Sequence, residues 1–524
     1  MATTAHVGAD QSDRTMLSWR PNAGSADADL LGDLATLMPR SRDLARNNGL
    51  AAGGIQTLKD NIIGSTLRIS VMPDYRQLGW TREQAREWGN TVESEFRSWM
   101  DTTDCDAART HTLLGQTLMM LSGVLMNGDA LALPMWLPRA DSPWATRLML
   151  IEADRLSTPP HIGSRSNVRG GVEFDQYGAP VGYWIRRSHP GDQFGYLGTP
   201  NYSPDDYEYI PAFTEWGRRR VIHLHDKERT GQSRGKPLFS SVMREFHMAG
   251  KYATTELQAA VSNSLIAAFL ESDLGTEAAG ALFGDDPRSQ WKQSVGEAGN
   301  VRRMQGGSII TLPVGAKMSP FVPGRPNAAF EAFMVSTLRH IAAGLNIPYE
   351  LLLKDFSKTS YSSARASMLE AWRYFHGRRR WITDYWLRPV FELWLEEAIN
   401  AGRIEAPDFY AKRYAYTRCR FIFSGRGWVD PVKEAQAAQL RMQGGLSTME
   451  MECAEQGLDW EEVAEQRAIE HARLKLLGLP IAAAVPPAAP RADPQQPEQD
   501  DEDDDEDDDN TPPKPAAPEE DAIA

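Results

Sequence analysis

The chain has 524 residues, 41% of them hydrophobic and 24% charged, with three cysteines and a formal net charge of −15. That length admits about two to four folded units of ordinary globular composition, which excludes collagen-like, disulfide-framework and wholly disordered classes. The charge is concentrated at one end: residues 481–524 hold 15 acidic and two basic residues, leaving about −2 for the body, too little positive charge for a protein that wraps nucleic acid with a basic face. The opening Met-Ala-Thr-Thr-Ala-His lacks a basic stretch followed by an apolar core, and no run approaches the roughly 18 apolar residues of a spanning helix. A soluble, unexported chain with no membrane partner is expected. Cys105, Cys419 and Cys453 show no Cys-x-x-Cys spacing, so neither a disulfide framework nor a zinc site is expected, and a reducing cytoplasm fits.

Residues 1–40 mix Asp, Ala, Gly and Ser with little periodicity and read as a flexible N-terminal arm. Asn48 can then cap a helix whose apolar residues Ala51, Ile55, Leu58 and Ile62 share one face, with Gly64 as its stop. Thr81 and Gln84 form a capping-box pattern ahead of Ala85, Trp88, Val92, Phe96 and Trp99 on a second core helix. From about 145 to 226 the pattern turns to short β-type runs at 148–151, 171–174 and 181–185, with Asp175–Gly178 as a hairpin turn and 190–211 as a long surface loop.

Residues 240–271 form one long helical pattern with Val242, Phe246, Ala249, Ala253, Leu257, Val261, Leu265 and Phe269 on a stripe rich in small neighbours. At about 1.5 Å per residue it extends nearly 50 Å. A Gly/Pro-punctuated segment, 272–325, follows with a strand candidate at Ser308–Leu312, and helix returns at 328–344. Another long helix is expected over 361–400, kinked at Pro389. Asp430-Pro431 starts a further helix that ends at Gly444-Gly445, and Ser447 with Glu450 and Asp459 with Glu462 start two more, the last stopping at Gly478 and Pro480. Ten consecutive acids, Asp500–Asp509, repel one another and cannot bury a core, so the tail reads as disordered.

Few segments suggest chemistry. Gly231-Gln-Ser-Arg-Gly-Lys236 has three residues between its glycines where a phosphate-binding loop needs four, and Pro237 stands where Ser or Thr is required. His223 and His225 alternate on a strand and could suit a metal, but no Cys or further His nearby in sequence completes a shell, so a surface pair beside Asp226 is expected. No His-Glu-x-x-His or Gly-x-Ser-x-Gly pattern is present. The densest basic cluster is Arg378-Arg379-Arg380, and Lys354-Asp-Phe-Ser-Lys-Thr-Ser360 is a polar loop between two helices. No catalytic residue, cofactor or metal ligand is assigned.

Several segments taken together resemble one family. Arg46-Asn-Asn-Gly49, Asn61-Ile-Ile-Gly64, Gly231-Gln-Ser-Arg-Gly235, Leu338-Arg-His-Ile-Ala-Ala-Gly-Leu-Asn-Ile-Pro-Tyr-Glu350, Ser360-Tyr-Ser-Ser-Ala-Arg-Ala-Ser367, Gly377-Arg-Arg-Arg380 and Gly445-Leu-Ser-Thr448 occur in an order and spacing similar to lambda-type phage portal proteins. The resemblance covers roughly residues 40–480 and is most specific over 341–380.

The resemblance implies an α+β portal fold: wing over 41–239, stem helices over 240–271 and 326–345 around a clip at 272–325, a tunnel loop at 346–360, a long kinked helix at 361–402, a helical crown at 403–480 and the acidic tail at 481–524. It implies a ring, typically a dodecamer, through which double-stranded DNA is packaged and ejected. The implied partners are the terminase large subunit, major capsid and scaffold proteins and head-tail connector proteins, with the chain in the virion at the portal vertex and in the host cytoplasm during assembly. Lys354, Ser357, Lys358, Thr359 and Ser360 become candidates for the DNA channel, and Arg365, Arg378, Arg379 and Arg380 for the subunit interface. ATP hydrolysis would belong to terminase.

Overall fold

The computed structural model describes residues 6–10, 13–163, 167–192, 204–265, 269–271, 317–319, 330–427 and 430–479. Asn48 divides helix α1 (Ala26–Asn47) from α2 (Gly49–Ile62), and its side-chain oxygen accepts from Leu50 N and Ala51 N at 3.1 Å. Ala51, Ile55, Leu58 and Ile62 are all buried. Gly64, at φ 76°, makes the stop that a side chain would obstruct, because a Cβ there would lie 2.4 Å from Ser424 Cβ.

The span read as a flexible arm is helical from Ala26. Ser25 caps α1 by accepting from Ala28 N, and Leu30, Leu34 and Met38 pack on Ala153 in a small core. Apolar residues four apart supply the helical face, but Asp- and Gly-rich neighbours and Pro39 inside the helix mask it in the sequence.

Helix α3 (Tyr75–Leu78) and α4 (Arg82–Met100) follow strand β1 (Leu67–Val71), and the Thr81/Gln84 capping box forms in both directions. Helix α5 (Leu113–Asn127) leads into two antiparallel sheets. One has the order β3-β2-β8 (Thr146–Ile151, Asp129–Trp136, Ile222–His225). The other runs β4-β5-β6-β7 (Val168–Arg169, Val172–Phe174, Pro180–Arg186, Tyr207–Pro211). The expected hairpin turn is present, with Asp175 N donating to Ala179 O and Gly178 at φ 81°.

Strand β2 lies ahead of the expected β region because it is buried on both faces. Ala130 and Ala132 face the main core, whereas Leu131 and Leu133 face a second core between the two sheets with Ile151, Phe174 and Ile185. A strand covered on both sides reads as a continuous apolar run without alternation.

Helix α6 (Met243–Leu265) covers most of the helical pattern expected over 240–271, but Phe269–Glu271 is strand β9, paired antiparallel with β10 (Lys317–Ser319). Apart from β10, the span read as the clip, with its strand candidate Ser308–Leu312, lies outside the described residues, as does the acidic tail. Val242 just before α6 and Phe246 and Ala249 on it are buried, while Leu257 and Val261 are 67% and 53% exposed. Helix returns as α7 (Phe330–Gly344), whose Phe330 and Phe333 rings meet Tyr252 of α6 at centroid distances of 5.3 and 5.4 Å.

After the short α8 (Tyr349–Leu353), the long helix is built as α9 (Tyr361–Ile382), a π-helical segment at Thr383–Leu387, and α10 (Arg388–Asn400). Pro389 cannot donate a helical hydrogen bond, and the wider π turn immediately before it absorbs that irregularity. This region supplies much of the main core: Phe391 and Trp394 pack on Phe96 at 5.2 and 4.9 Å, and Trp394 meets Trp144 at 5.0 Å.

The span read as a helical crown is not wholly helical. After α11 (Arg413–Tyr416), strand β11 (Cys419–Phe423) pairs with β1, matching Leu67 to Phe423 and Val71 to Cys419. Three helices complete the described chain: α12 (Pro431–Gln443), α13 (Met449–Glu455) and α14 (Trp460–Leu476). Asp430 and Asp459 are their caps as expected, but the cap of α13 is Thr448, which accepts from Met451 N, one residue beyond Ser447.

Candidate functional site

The polar loop between α7 and α9 is seated on α2. Leu345, Ile347 and Leu352 are buried, and Gly54 on α2 leaves room for them. A Cβ at Gly54 would lie 3.2 Å from Leu352 Cδ1 and 3.8 Å from Leu345 Cδ1. The small residues of α2 thus bring α8 close and fix where the loop emerges.

Lys354 ends α8 in the left-handed conformation at φ 57°, its N–H donating to Glu350 O. Few non-glycine residues adopt this conformation. Its side chain is exposed and makes no ion pair among the described residues. Lys358 is held instead, its Nζ 2.7 Å from Glu331 Oε1 on α7. Ser357 donates to Asp355 Oδ1, Thr359 N donates to Phe356 O, and Ser360 caps α9 by accepting from Ser363 N. Of the five loop candidates, three shape the turn, one is tied to α7, and Lys354 presents its charge to solvent.

The arginine candidates separate in the same way. Arg379 is buried and donates to the carbonyl oxygens of Ile62, Asn61 and Ser424 at 2.8, 2.9 and 2.8 Å. It joins the end of α2 to the chain just beyond β11 within one subunit. Burial lowers its pKa to about 10, still well above neutrality. Arg378 pairs with Asp226 at 2.5 Å. Arg365 and Arg380 project from α9 into solvent, Arg380 with Asp384 at 3.5 Å.

The His223/His225 pair is not on the surface. His223 lies against the fully buried Asp129, 94 residues earlier, with Nε2 2.9 Å from Oδ1, and its ring stacks on His225 at 4.0 Å between centroids. The pairing of β8 with β2 supplies Asp129, a third potential metal donor that spacing along the sequence could not reveal. Both Asp129 oxygens are already engaged: Oδ2 accepts from Arg234 Nε at 2.7 Å and Oδ1 also accepts from Gly235 N at 2.8 Å. Burial raises the Asp129 pKa, but Arg234 and His223 outweigh it and hold the carboxyl below the usual range. Burial also lowers both histidines, His225 to about 3, so the rings are neutral near pH 7.

The same geometry explains Gly231–Gly235. Arg234 also donates to the carbonyls of Leu156, Gly170 and Ala153, while Ser233 donates through N and Oγ to Asp27 on α1. The segment joins α1, β2 and the β lobe, and its donors turn into the protein rather than toward a phosphate. Lys236, the residue that a phosphate-binding reading would use, pairs with Glu228.

Residues 12–379 match the family described as "Phage portal protein, lambda family". The chain is 33% identical over 494 residues to Portal protein B of Escherichia phage lambda, covering 90% of each chain. It is also 33% identical over 494 residues to the portal protein of Escherichia phage N15, covering 90% of this chain and 91% of the relative. A probable portal protein of Halomonas phage phiHAP-1 is 27% identical over 472 residues, covering 88% of this chain and 85% of the relative. Among solved structures, the neck of an empty gene transfer agent particle computed with C6 symmetry aligns at TM-score 0.42 and 13% identity, over 88% of this chain and 96% of that one. The family match spans α2, the buried Asp129–Arg234 pair and the loop carrying Lys354, and the two relatives at 33% identity cover 90% of the chain: the chain belongs to the lambda family of phage portal proteins.

Proposed function

We propose that the chain is one subunit of a dodecameric ring at the portal vertex of a tailed phage or prophage, through which double-stranded DNA is packaged by terminase and later ejected. The near-neutral body supports this reading, because a conduit must let its cargo slide, and a continuous basic groove would hold it through counterion release. Within the ring, the loop at 346–360 faces the channel and Lys354 meets the passing phosphates as a point charge. Lys358 shares that role, because its pair with Glu331 is exposed and holds it only weakly.

Ring subunits join by heterologous interfaces that close through rotation. The exposed half of α6, with Leu257 and Val261, and the outward Arg365 of α9 are the surfaces proposed to meet a neighbour. Arg378 and Arg379 serve the fold of one subunit. The segment between α6 and α7 forms the clip that meets terminase and, later, the head-tail connector proteins, while the wing meets the major capsid and scaffold proteins. Assembly occurs in the host cytoplasm, and the subunit itself is structural, with no nucleotide chemistry.

The observation that carries the channel assignment is the exposed, left-handed Lys354, without an ion pair among the described residues, on a loop anchored by α2. Glycine accepts the same backbone conformation without strain, so Lys354→Gly with Lys358→Ala removes both charges and keeps the turn. The expected outcome is normal ring assembly with impaired packaging or retention of DNA. Normal packaging and retention would remove the loop from the DNA path.

A further inference from the structure

A basic cleft of about 550 Å³ lies between α9, α10, β11 and α13, where Arg379, Arg380, Arg388, Arg418 and Arg420 face only Asp384 and Glu455 among the lining carboxylates. Neighbouring acids do not close the imbalance. Asp384 is shared, 3.5 Å from Arg380 and 3.1 Å from Arg388, and Asp74 stands 3.8 Å from Arg418. Glu450 pairs with Arg420 at 2.8 Å. Arg379, on the cleft wall, is met by carbonyl oxygens alone. Side chains of Arg380, Arg388 and Arg418 are 86%, 42% and 63% exposed, so their charge is available to a polyanion, and exposed pairs of this kind hold their partners weakly.

We infer that this cleft docks the acidic run Asp500–Asp509 of the chain's own C-terminal tail. Charge is one argument: ten consecutive carboxylates match a cleft with excess arginine, and guanidinium forks bind carboxylates in pairs. Reach is the other. Helix α13 contributes Met451, Ala454 and Glu455 to the cleft and packs on α14. Helix α14 is about 25 Å long. Between Leu479 and Asp500 the chain spans up to about 70 Å when extended, more than enough to return along α14 to α13. A tethered partner also acts at an effective concentration near millimolar, so weak individual pairs suffice. The docked tail covers arginines that would otherwise attract DNA phosphates outside the channel.

Arginine labelling with a dicarbonyl reagent, read by mass spectrometry on the full chain, tests this directly. The comparison is with a full-length variant in which every acid from Asp500 to Asp509 is replaced by its amide. Arg380, Arg388 and Arg418 should label at least about threefold faster in the variant, given near-millimolar tethering in the wild type, while Arg373, 81% exposed on the same helix, is unchanged. High salt should produce the same gain in the wild type, and protection should not vary with protein concentration. Equal labelling of the three arginines in the two chains overturns the inference, as does protection that arises only when a short DNA duplex is added. Neither result depends on whether DNA passes Lys354.

Discussion

Arg234 Nε lies 2.7 Å from Oδ2 of Asp129, a carboxylate with no solvent exposure, and the same guanidinium ties down three main-chain carbonyls of the β lobe. Removing one partner of a buried pair leaves the other charged and unsolvated, at a cost of about 3–5 kcal/mol. Arg234→Ala and Asp129→Asn are each expected to lower unfolding stability by that order, measured by urea titration. A loss below about 1 kcal/mol, the scale of an exposed pair, would show that the pair is not the lock described.

The stacked histidines add a pH dependence of definite sign. His225 is held at about 3 in the fold against 6.5 for an ordinary imidazole, so the unfolded chain takes up its proton first as pH falls. Stability from this ring is complete above about pH 6.5 and is lost progressively toward pH 3; Asp129, also depressed, loses its contribution in the same direction at lower pH. The ring accounts for a loss on the order of 2 kcal/mol between pH 7 and pH 5. His225→Phe should reduce the pH 7-to-5 difference in urea stability by that amount, and an undiminished difference would place the sensitivity elsewhere.

Arg379 makes a sharper case for geometry over charge. Its Nε and Nη2 reach three carbonyls on two segments, Asn61-Ile62 and Ser424, a fork that a lysine cannot reproduce. Arg379→Lys keeps the charge yet should cost about 3 kcal/mol, since unsatisfied buried acceptors and lost charge-assisted bonds both contribute. Full stability with lysine would mean that the contact between α2 and the chain beyond β11 does not depend on the fork.

Backbone contact explains why the Gly231–Gly235 segment carries glycine at its second end. A Cβ on Gly235 would stand 1.9 Å from the carbonyl oxygen of Gly128, and main chain cannot rotate aside as a side chain can. Gly235→Ala is expected to destabilise by about 3 kcal/mol or more, whereas Gly231→Ala, with open space around it, should be nearly neutral. Equal effects at the two positions would contradict this distinction.

Local signals were readable where cap, period and stop agree within one segment. Asn48 and Gly64 bound α2, Thr81 and Gln84 start α4, and Asp430-Pro431 starts α12. What escaped depended on partners distant in sequence. Strand β11 acquires its role by pairing with β1, the double burial of β2 removes the alternation that marks a strand, and Asp129 meets His223 only through sheet register. The helix from Ala26 to Arg40 was hidden by composition, although Leu30, Leu34 and Met38 carry its spacing. Basic density and loop polarity single out the arginine run and Lys354, and the family resemblance gives them roles, but spacing could not show that Arg379 binds carbonyls inside its own subunit while Lys354 faces solvent.

Electron microscopy of the purified full-length chain most directly tests the central claim that this subunit forms a closed channel. The account predicts rings with rotational symmetry and an open central passage wide enough for a DNA duplex, with the 346–360 loop of every copy on its wall. A population of monomers alone, or of closed particles without a passage, would contradict it.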